Sequence, residues 1–224
     1  MPRKITGAAF VSMDGVIQAP GGPDEDPTGG FDEGGWVFKI WDDGVGETLG
    51  SLFSGEYDLL LGRRTYDIFA AYWPYADGEN AEMGEAFDRA NKYVLTRGDQ
   101  PLPWRNSHRL RSIDDVAALK QADGADMIIQ GSSTIYPGLL AAGLIDTLIT
   151  MTYPVTLGRG KRLFGEGTPV DLFEMTGHSV TDKGTMIATY KPGGALPPYP
   201  DEAPIPITSD RELERRRRIE AGTW

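Results

Sequence analysis

The 224-residue sequence predicts an α/β fold: a mostly parallel central sheet, flanked by helices, that ends in antiparallel edge strands. Three observations carry the prediction. Short apolar runs alternate with stretches of helical period through the first two thirds of the chain. From Ile145 onward only strand-like runs follow. Two of the early strands stop at a glycine from which a helix begins.

Taken in order, Lys4 to Ser12 (KITGAAFVS) is rich in small and β-prone residues and stops at Asp14-Gly15, as a central strand would. The 18 residues from Gln18 to Gly35 hold six Gly, three Pro and five acids, which leaves almost nothing to pack and predicts a mobile loop, a lid that orders over bound ligands. Ile40, Val45, Leu49, Leu52 and Phe53 recur at helical intervals over Ile40 to Ser54, and Gly55 ends the run. Tyr57 to Leu61 is a second strand, broken by Gly62, and Arg63 to Tyr72 reads as the helix that follows. The pattern then gives a helix over Glu82 to Asn91, a strand over Tyr93 to Thr96, and an edge strand around His108-Arg109-Leu110-Arg111. A helix over Ile113 to Ala122 and a strand over Met127 to Gln130 follow, then Gly131 and a helix over Ser133 to Ala142. The β-only end comprises IDTLITMTYPV from Ile145, then Leu172 to Ser179 and Thr185 to Lys191, the last two joined by a turn at Lys183-Gly184.

Residues 192 to 206 contain six of the 16 prolines and no periodic pattern. Asp210 to Ala221 (DRELERRRRIEA) is built of strong helix formers, but Leu213 and Ile219 are its only apolar anchors, so it reads either as a frayed tail or as a helix docking on a second subunit. The chain is therefore expected to comprise one domain over 1–191 and a Pro-rich, charged extension over 192–224.

Composition narrows the chemistry. Asp and Glu number 33 against 22 Lys and Arg, giving a net charge of -11, so nucleic acid and anionic membranes are disfavoured partners. No apolar run approaches the roughly 20 residues of a membrane span, and the start lacks a secretory pattern, which makes the cytoplasm the default location. With no cysteine and two histidines, His108 and His178, there is no thiol nucleophile and no metal site of the usual Cys or HExxH type. Carboxylates, hydroxyls, backbone groups or an organic cofactor must do any chemistry.

Gly62-Arg63-Arg64-Thr65 and Gly131-Ser132-Ser133-Thr134 both fall where a parallel strand gives way to a helix, the place where free N–H groups and the helix dipole attract phosphate. Leu95-Thr96-Arg97-Gly98 offers a third strand end with a hydroxyl and an arginine. One such turn alone is also what ordinary helix capping produces. There is no GxGxxG, and Gly158-Arg159-Gly160-Lys161-Arg162 lacks the upstream glycine and the Ser/Thr of a P-loop, so it reads as a turn between strands. Trp36, Phe38 and Trp41, just before the first helix, could wall a flat substrate, or belong to the core.

Taken together, AAFVSMDGVIQ, LLLGRRTYDIF, YVLTRG and MIIQGSSTIYPGLLAAGLIDTLITMTYPVTLGRGKRLF resemble, in order and spacing, the dihydrofolate reductase-like superfamily, and within it the branch of the riboflavin-biosynthesis reductase domain, over roughly Lys4 to Lys191. The resemblance implies an NADPH site at the strand ends, hydride transfer to a planar heterocycle or related C=N or C=O substrate, and a homodimer. It implies that Ala9 and Ile17 flank the nicotinamide. Gly62, Arg63, Arg64 and Thr65 match adenine-phosphate and pyrophosphate contacts, Thr96 and Arg97 the 2′-phosphate pocket, and Gly131, Ser132, Ser133, Thr134 and Ile135 the second phosphate loop. The family often has Gly-Gly, sometimes cis, where this chain has Gly131-Ser132. The family's catalytic carboxylate counts to Gly46, which leaves the neighbouring Glu47, or Asp42 and Asp43 a turn away, as the acid; Thr150 lies near a threonine that supports it. No acid follows either glycine turn at the distance used to bind a ribose 2′-hydroxyl, which favours NADPH over NADH. Two alternatives remain: a pyrimidine reductase of riboflavin synthesis acting on a ribosylamino-pyrimidine, and a nucleotide-binding protein without turnover.

Overall fold

A computed structural model describes residues 2–200 and 208–224. They fall into two compact units, Met1–Gly194 and Ala195–Trp224.

The first unit is built on an eight-stranded sheet: β1 (Ile5–Ser12), β2 (Tyr57–Gly62), β3 (Lys92–Leu95), β4 (Ser107–Leu110), β5 (Asp126–Ile129), β6 (Thr147–Tyr153), β7 (Leu172–Val180) and β8 (Met186–Gly194). Their order across the sheet is β4-β3-β2-β5-β1-β6-β8-β7. The first six run parallel; β8 is antiparallel to both β6 and β7. This is the expected fold class, with β1 central and the antiparallel strands at one edge. Because β1 to β6 are parallel, the residues following all six emerge at a single carboxyl edge, the usual ligand edge of such sheets.

Alternation along the strands sorts side chains onto two faces. Ile5, Ala9 and Val11 of β1, Leu148 of β6 and Met127 and Ile129 of β5 join one core, covered by α5 (Ile113–Gln121) and α6 (Tyr136–Ala141). The intervening Ala8, Met151 and Tyr153 face the other way, against Trp36, Val37 and Val45. On that same face Leu59, Leu61 and Val94 pack with Tyr66 and Phe87 of α3 (Arg63–Tyr72) and α4 (Ala81–Arg89). Between β2 and the amino end of the chain runs a buried ion pair, Arg3 with Asp58, whose carboxylate also accepts from the Asn91 amide at 3.0 Å.

The structure corrects the sequence in three places. The helix expected over Ile40 to Ser54 starts only at Asp43, as α2 (Asp43–Leu52), because Asp42 is extended and caps it, and a separate one-turn helix, α1 (Trp36–Lys39), precedes it. The helix expected from Ser133 begins at Tyr136, because Ser132 adopts a left-handed φ of 81° and Ser133 to Ile135 form a turn. The loop from Gln18 to Gly35 does have something to pack: Phe31 is buried against Val16, and the Gln18 side chain donates to the carbonyls of Asp26 (2.8 Å) and Thr28 (2.9 Å) while accepting from the Lys161 amide (2.9 Å).

In the second unit α7 (Asp210–Glu220) is capped by Ser209, whose side chain accepts from the Glu212 amide at 3.2 Å. Glu212 pairs with Arg215 and Arg216, and the Arg215 guanidinium lies over the Trp224 ring. The expected prolines at 204 and 206 lie outside the described residues.

Candidate active site

At the carboxyl edge the first two glycine turns are stitched together by one serine. The Gly62 amide donates to Ser132 Oγ at 2.9 Å, and Ser132 Oγ donates to Thr65 Oγ1 at 2.6 Å. The approach is so close that a Cβ on Gly62 would collide with the Ser132 side chain. Gly131, at φ 100°, sits against Thr65 in turn. No peptide bond among the described residues is cis; Ser132's left-handed geometry provides the bend at this loop. The first turn of α3, a ten-residue helix, has no side-chain cap, so its N–H groups are free to meet an anion. Ile135 is buried in the core beside Ala9 and Ile17, while Ser133 is half-buried and Thr134 exposed. Since α6 starts only at Tyr136, the second turn contributes a backbone cradle rather than a helix terminus.

Of the three arginines, Arg63 is committed to Asp67 (2.8 Å) and to the Gln100 carbonyl (2.9 Å). Arg64 is exposed and lies 3.7 Å from the buried Asp26, too far for a direct hydrogen bond. Arg97 is exposed, and Thr96 before it is buried, its hydroxyl accepting from the Gly98 amide at 3.2 Å. Asp26 ties the Gly-rich loop to this region: burial opposes its ionisation, but bonds from Lys161 and Thr28 outweigh that and hold its carboxyl below the usual range.

The residues expected at the substrate end scatter. Trp36, 2% exposed, is a core residue: its indole N–H donates to the Gln18 carbonyl (2.9 Å) and its ring meets Tyr153 edge-on. Phe38, 63% exposed, stacks on the half-buried Trp41 at 5.4 Å and 8°. Trp41 also lies across Gly46, where an added Cβ would stand 3.2 Å from its ring. Asp43 and Glu47 are both exposed, and Asp43 accepts from the Trp41 indole at 3.2 Å. The buried acid is Asp42. Its carboxylate caps α2 through the Gly44 amide (3.2 Å) and takes a bond from Thr181 at the β7–β8 turn. Burial opposes its charge, yet those bonds and nearby Lys183 keep its pKa below the ordinary value, so it is held as an anion in a structural clamp. Thr150 is a further correction: it faces away from α2, into a cavity with Leu148, Thr152, Phe173 and Tyr190, because neighbouring strand residues alternate faces and Met151 takes the α2 side. Asp14, as expected of a turn residue, accepts from the Leu157 and Gly158 amides (3.0 and 2.8 Å).

Sequence reasoning passed over Arg109 and Arg111. Both reach from the end of β4 to the loop after β3, where Arg109 donates to the Gln100 carbonyl at 2.6 Å and Arg111 to the Arg97 and Gly98 carbonyls at 3.1 Å. Their signal was present as two arginines two residues apart, on one side of a short edge strand at its carboxyl end. Among the described residues no group of His, Asp and Glu is arranged to hold a metal, and no helix is long and apolar enough to cross a membrane.

An adenine dinucleotide phosphate suits this edge: a helix N-terminus without a side-chain cap, two glycine turns packed closely together, and exposed arginines in an acidic chain. The fold is that of the dihydrofolate reductase-like proteins. Enterococcus faecalis dihydrofolate reductase, complexed with NADP(H) and RAB-propyl, superposes with a TM-score of 0.51 at 17% identity, over 85% of this chain and 96% of that one. A putative riboflavin biosynthesis protein from Shewanella sp. PV-4 superposes with a TM-score of 0.59 at 20% identity, over 86% of this chain and 99% of its own. The uncharacterized protein YyaP of Bacillus subtilis (strain 168) is 26% identical over 168 residues, 72% of this chain and 80% of YyaP. The family model of the RibD C-terminal domain matches residues 3–187, and the chain belongs to that family.

Proposed function

We propose that the chain is an NADPH-dependent reductase acting on a small planar heterocycle or a related C=N or C=O compound. The observation that carries this reading is the Gly62–Ser132–Thr65 stitch, which places two backbone cradles and the start of α3 side by side at the carboxyl edge, with Arg64 and Arg97 exposed beside them. When bound, NADPH supplies the hydride. The protein's own share is positional. The N–H groups at the start of α3, Thr65 and the Gly131–Thr134 turn hold the pyrophosphate region. Arg64 and Arg97 meet phosphate charge, and Ala9, Ile17 and Ile135 offer apolar contact to the nicotinamide. The stacked Phe38 and Trp41 form the wall for a flat substrate. With Asp43 and Glu47 exposed and Asp42 held ionised, the substrate's proton comes from solvent.

The chain is further proposed to act as a homodimer through its C-terminal third. β7 ends the sheet, and beside it Phe164, Phe173 and Tyr190 line an open, mainly apolar cavity of about 330 Å³. Light scattering at micromolar concentration tests this, and a monomer rules it out.

Calorimetric titration with NADPH and NADH, beside NADPH oxidation with a panel of pterins, pyrimidines and quinonoid or imine compounds, tests the main reading. NADPH binding with turnover of one compound class is the expected result. Binding without any turnover favours a nucleotide-binding protein, and equal affinity for NADPH and NADH would falsify the cofactor assignment.

A further inference from the structure

The loop Thr96–Gln100, between β3 and the stretch leading to β4, is held by arginines from three elements. Arg109, level with Val94 across the β3–β4 pair, donates to the carbonyls of Gly98 and Gln100. Arg111, one residue past β4, donates to the carbonyls of Arg97 and Gly98, each at 3.1 Å, and pairs with the Asp99 carboxylate. Arg63, from the first turn of α3, reaches the Gln100 carbonyl at 2.9 Å. Three of the loop's carbonyl oxygens thereby point at guanidinium groups.

The brace stands on a rigid footing. The Arg111 amide donates to Asp115 Oδ2 at 2.6 Å, and Asp115 also closes the capping box of α5 with Ser112. One member of the cluster is left over: the guanidinium of Arg97 is exposed and makes no bond to another described group.

A loop containing glycine and carrying an exposed arginine samples many arrangements, in some of which a carbonyl oxygen faces an incoming anion and repels it. Fixing the carbonyls on one side removes those arrangements before the ligand arrives. Asp99, which by itself would oppose a phosphate, is neutralised by Arg111 in the same contact.

We infer that Arg109 and Arg111 are positioning residues that hold the Thr96–Gln100 loop so that Arg97 is presented to the 2′-phosphate, and that they thereby set the preference for a 2′-phosphorylated adenosine over the unphosphorylated form. This rests on the proposed NADPH reading. It adds that selectivity depends on side chains that do not touch the phosphate.

The test is titration of NADPH, NADH and adenosine 2′,5′-bisphosphate against wild type, Arg97→Ala, Arg111→Ala, Arg111→Lys, Arg109→Gln and the double variant Arg97→Ala/Arg111→Ala. Hydrogen exchange of the loop amides is measured on the same proteins without nucleotide. Arg111→Ala is expected to weaken NADPH and the bisphosphate about tenfold while NADH stays within about twofold. Arg109→Gln follows in the same direction. Arg111→Lys should behave like the alanine variant, since an ammonium cannot span two carbonyls and a carboxylate with planar fork geometry. The double variant should bind NADPH no worse than Arg97→Ala alone, because Arg111 acts through Arg97. Amides of the loop should exchange faster in Arg111→Ala and Arg109→Gln. Equal weakening of NADPH and NADH, multiplying penalties in the double variant, full rescue by lysine, or unchanged exchange would each overturn the inference. A wild-type protein that prefers NADPH and keeps that preference in Arg111→Ala overturns the inference alone; one that binds no NADPH overturns it together with the functional reading.

Discussion

Around Thr96–Gln100, side chains from β4, α3 and the approach to α5 close on one short stretch of backbone, whereas around Trp36–Glu47 the groups that adjoin in sequence part company in space. Trp36 goes into the core, Asp42 to the β7–β8 turn, Asp43 and Glu47 to solvent, and Phe38 and Trp41 stay behind as a stacked pair. The difference follows from what each region is proposed to recognise. Phosphate is met by backbone N–H groups and by fixed charge, and the strand-to-helix junctions that supply these are local in sequence. A substrate ring is met by whichever side chains tertiary packing leaves facing the cleft, and that depends on distant segments such as Thr181 and Lys183.

The largest effect expected from this contrast is at Gly62. Gly62→Val drives side-chain atoms into Ser132, so NADPH affinity should fall by about a hundredfold and stability by about 1–3 kcal/mol. Titration and thermal melting check both, and unchanged NADPH affinity would dissolve the stitched-cradle picture. Phe38→Ala and Trp41→Ala sharpen the other side: each should cost about tenfold in kcat/KM for the reduced substrate, as loss of a stacking partner does, with NADPH affinity within about twofold. Equal losses in both parameters would mean that the two ends are not separable.

Asp42 separates clamp from catalyst. Its folded pKa lies below that of an ordinary aspartate, so its contribution to stability is fully present above the ordinary value and is lost as pH falls through the lower folded pKa. Asp42→Ala should therefore cost about 1 kcal/mol near neutral pH through the lost cap, and should flatten the acid limb of a stability–pH curve. An unaltered acid limb would show that Asp42 does not carry that charge. The smallest effect concerns the exposed acids. Asp43→Asn and Glu47→Gln should leave kcat, and its pH profile, within about twofold, in line with solvent as the proton source; a large drop in kcat for either restores a carboxylate donor.

Much of the fold was legible because alternation of strand and helix patterns, and their replacement by strands alone after Ile145, are local signals. The glycine turns were legible for the same reason. The facing of Thr150 was not legible because strand periodicity is two, so a shift of one residue in a carried-over register exchanges α2's side of the sheet for the cavity beside Tyr190. The Gln18–Gly35 loop looked unpackable because its anchors, Lys161 and Val16, do not belong to its own composition.

What the sequence by itself determined was the order of elements, the parallel sheet and the positions of the glycine turns, since these follow from periodicity and backbone freedom within a few residues. Tertiary structure alone decided which acid is buried and which tryptophan is core. It also decided that Arg109 and Arg111 brace a loop some ten residues earlier in the chain. Those outcomes depend on strand neighbours, on the facing of alternate residues and on partners distant in sequence; the spacing of Arg109 and Arg111 puts both on one side of their strand but does not say which backbone they meet.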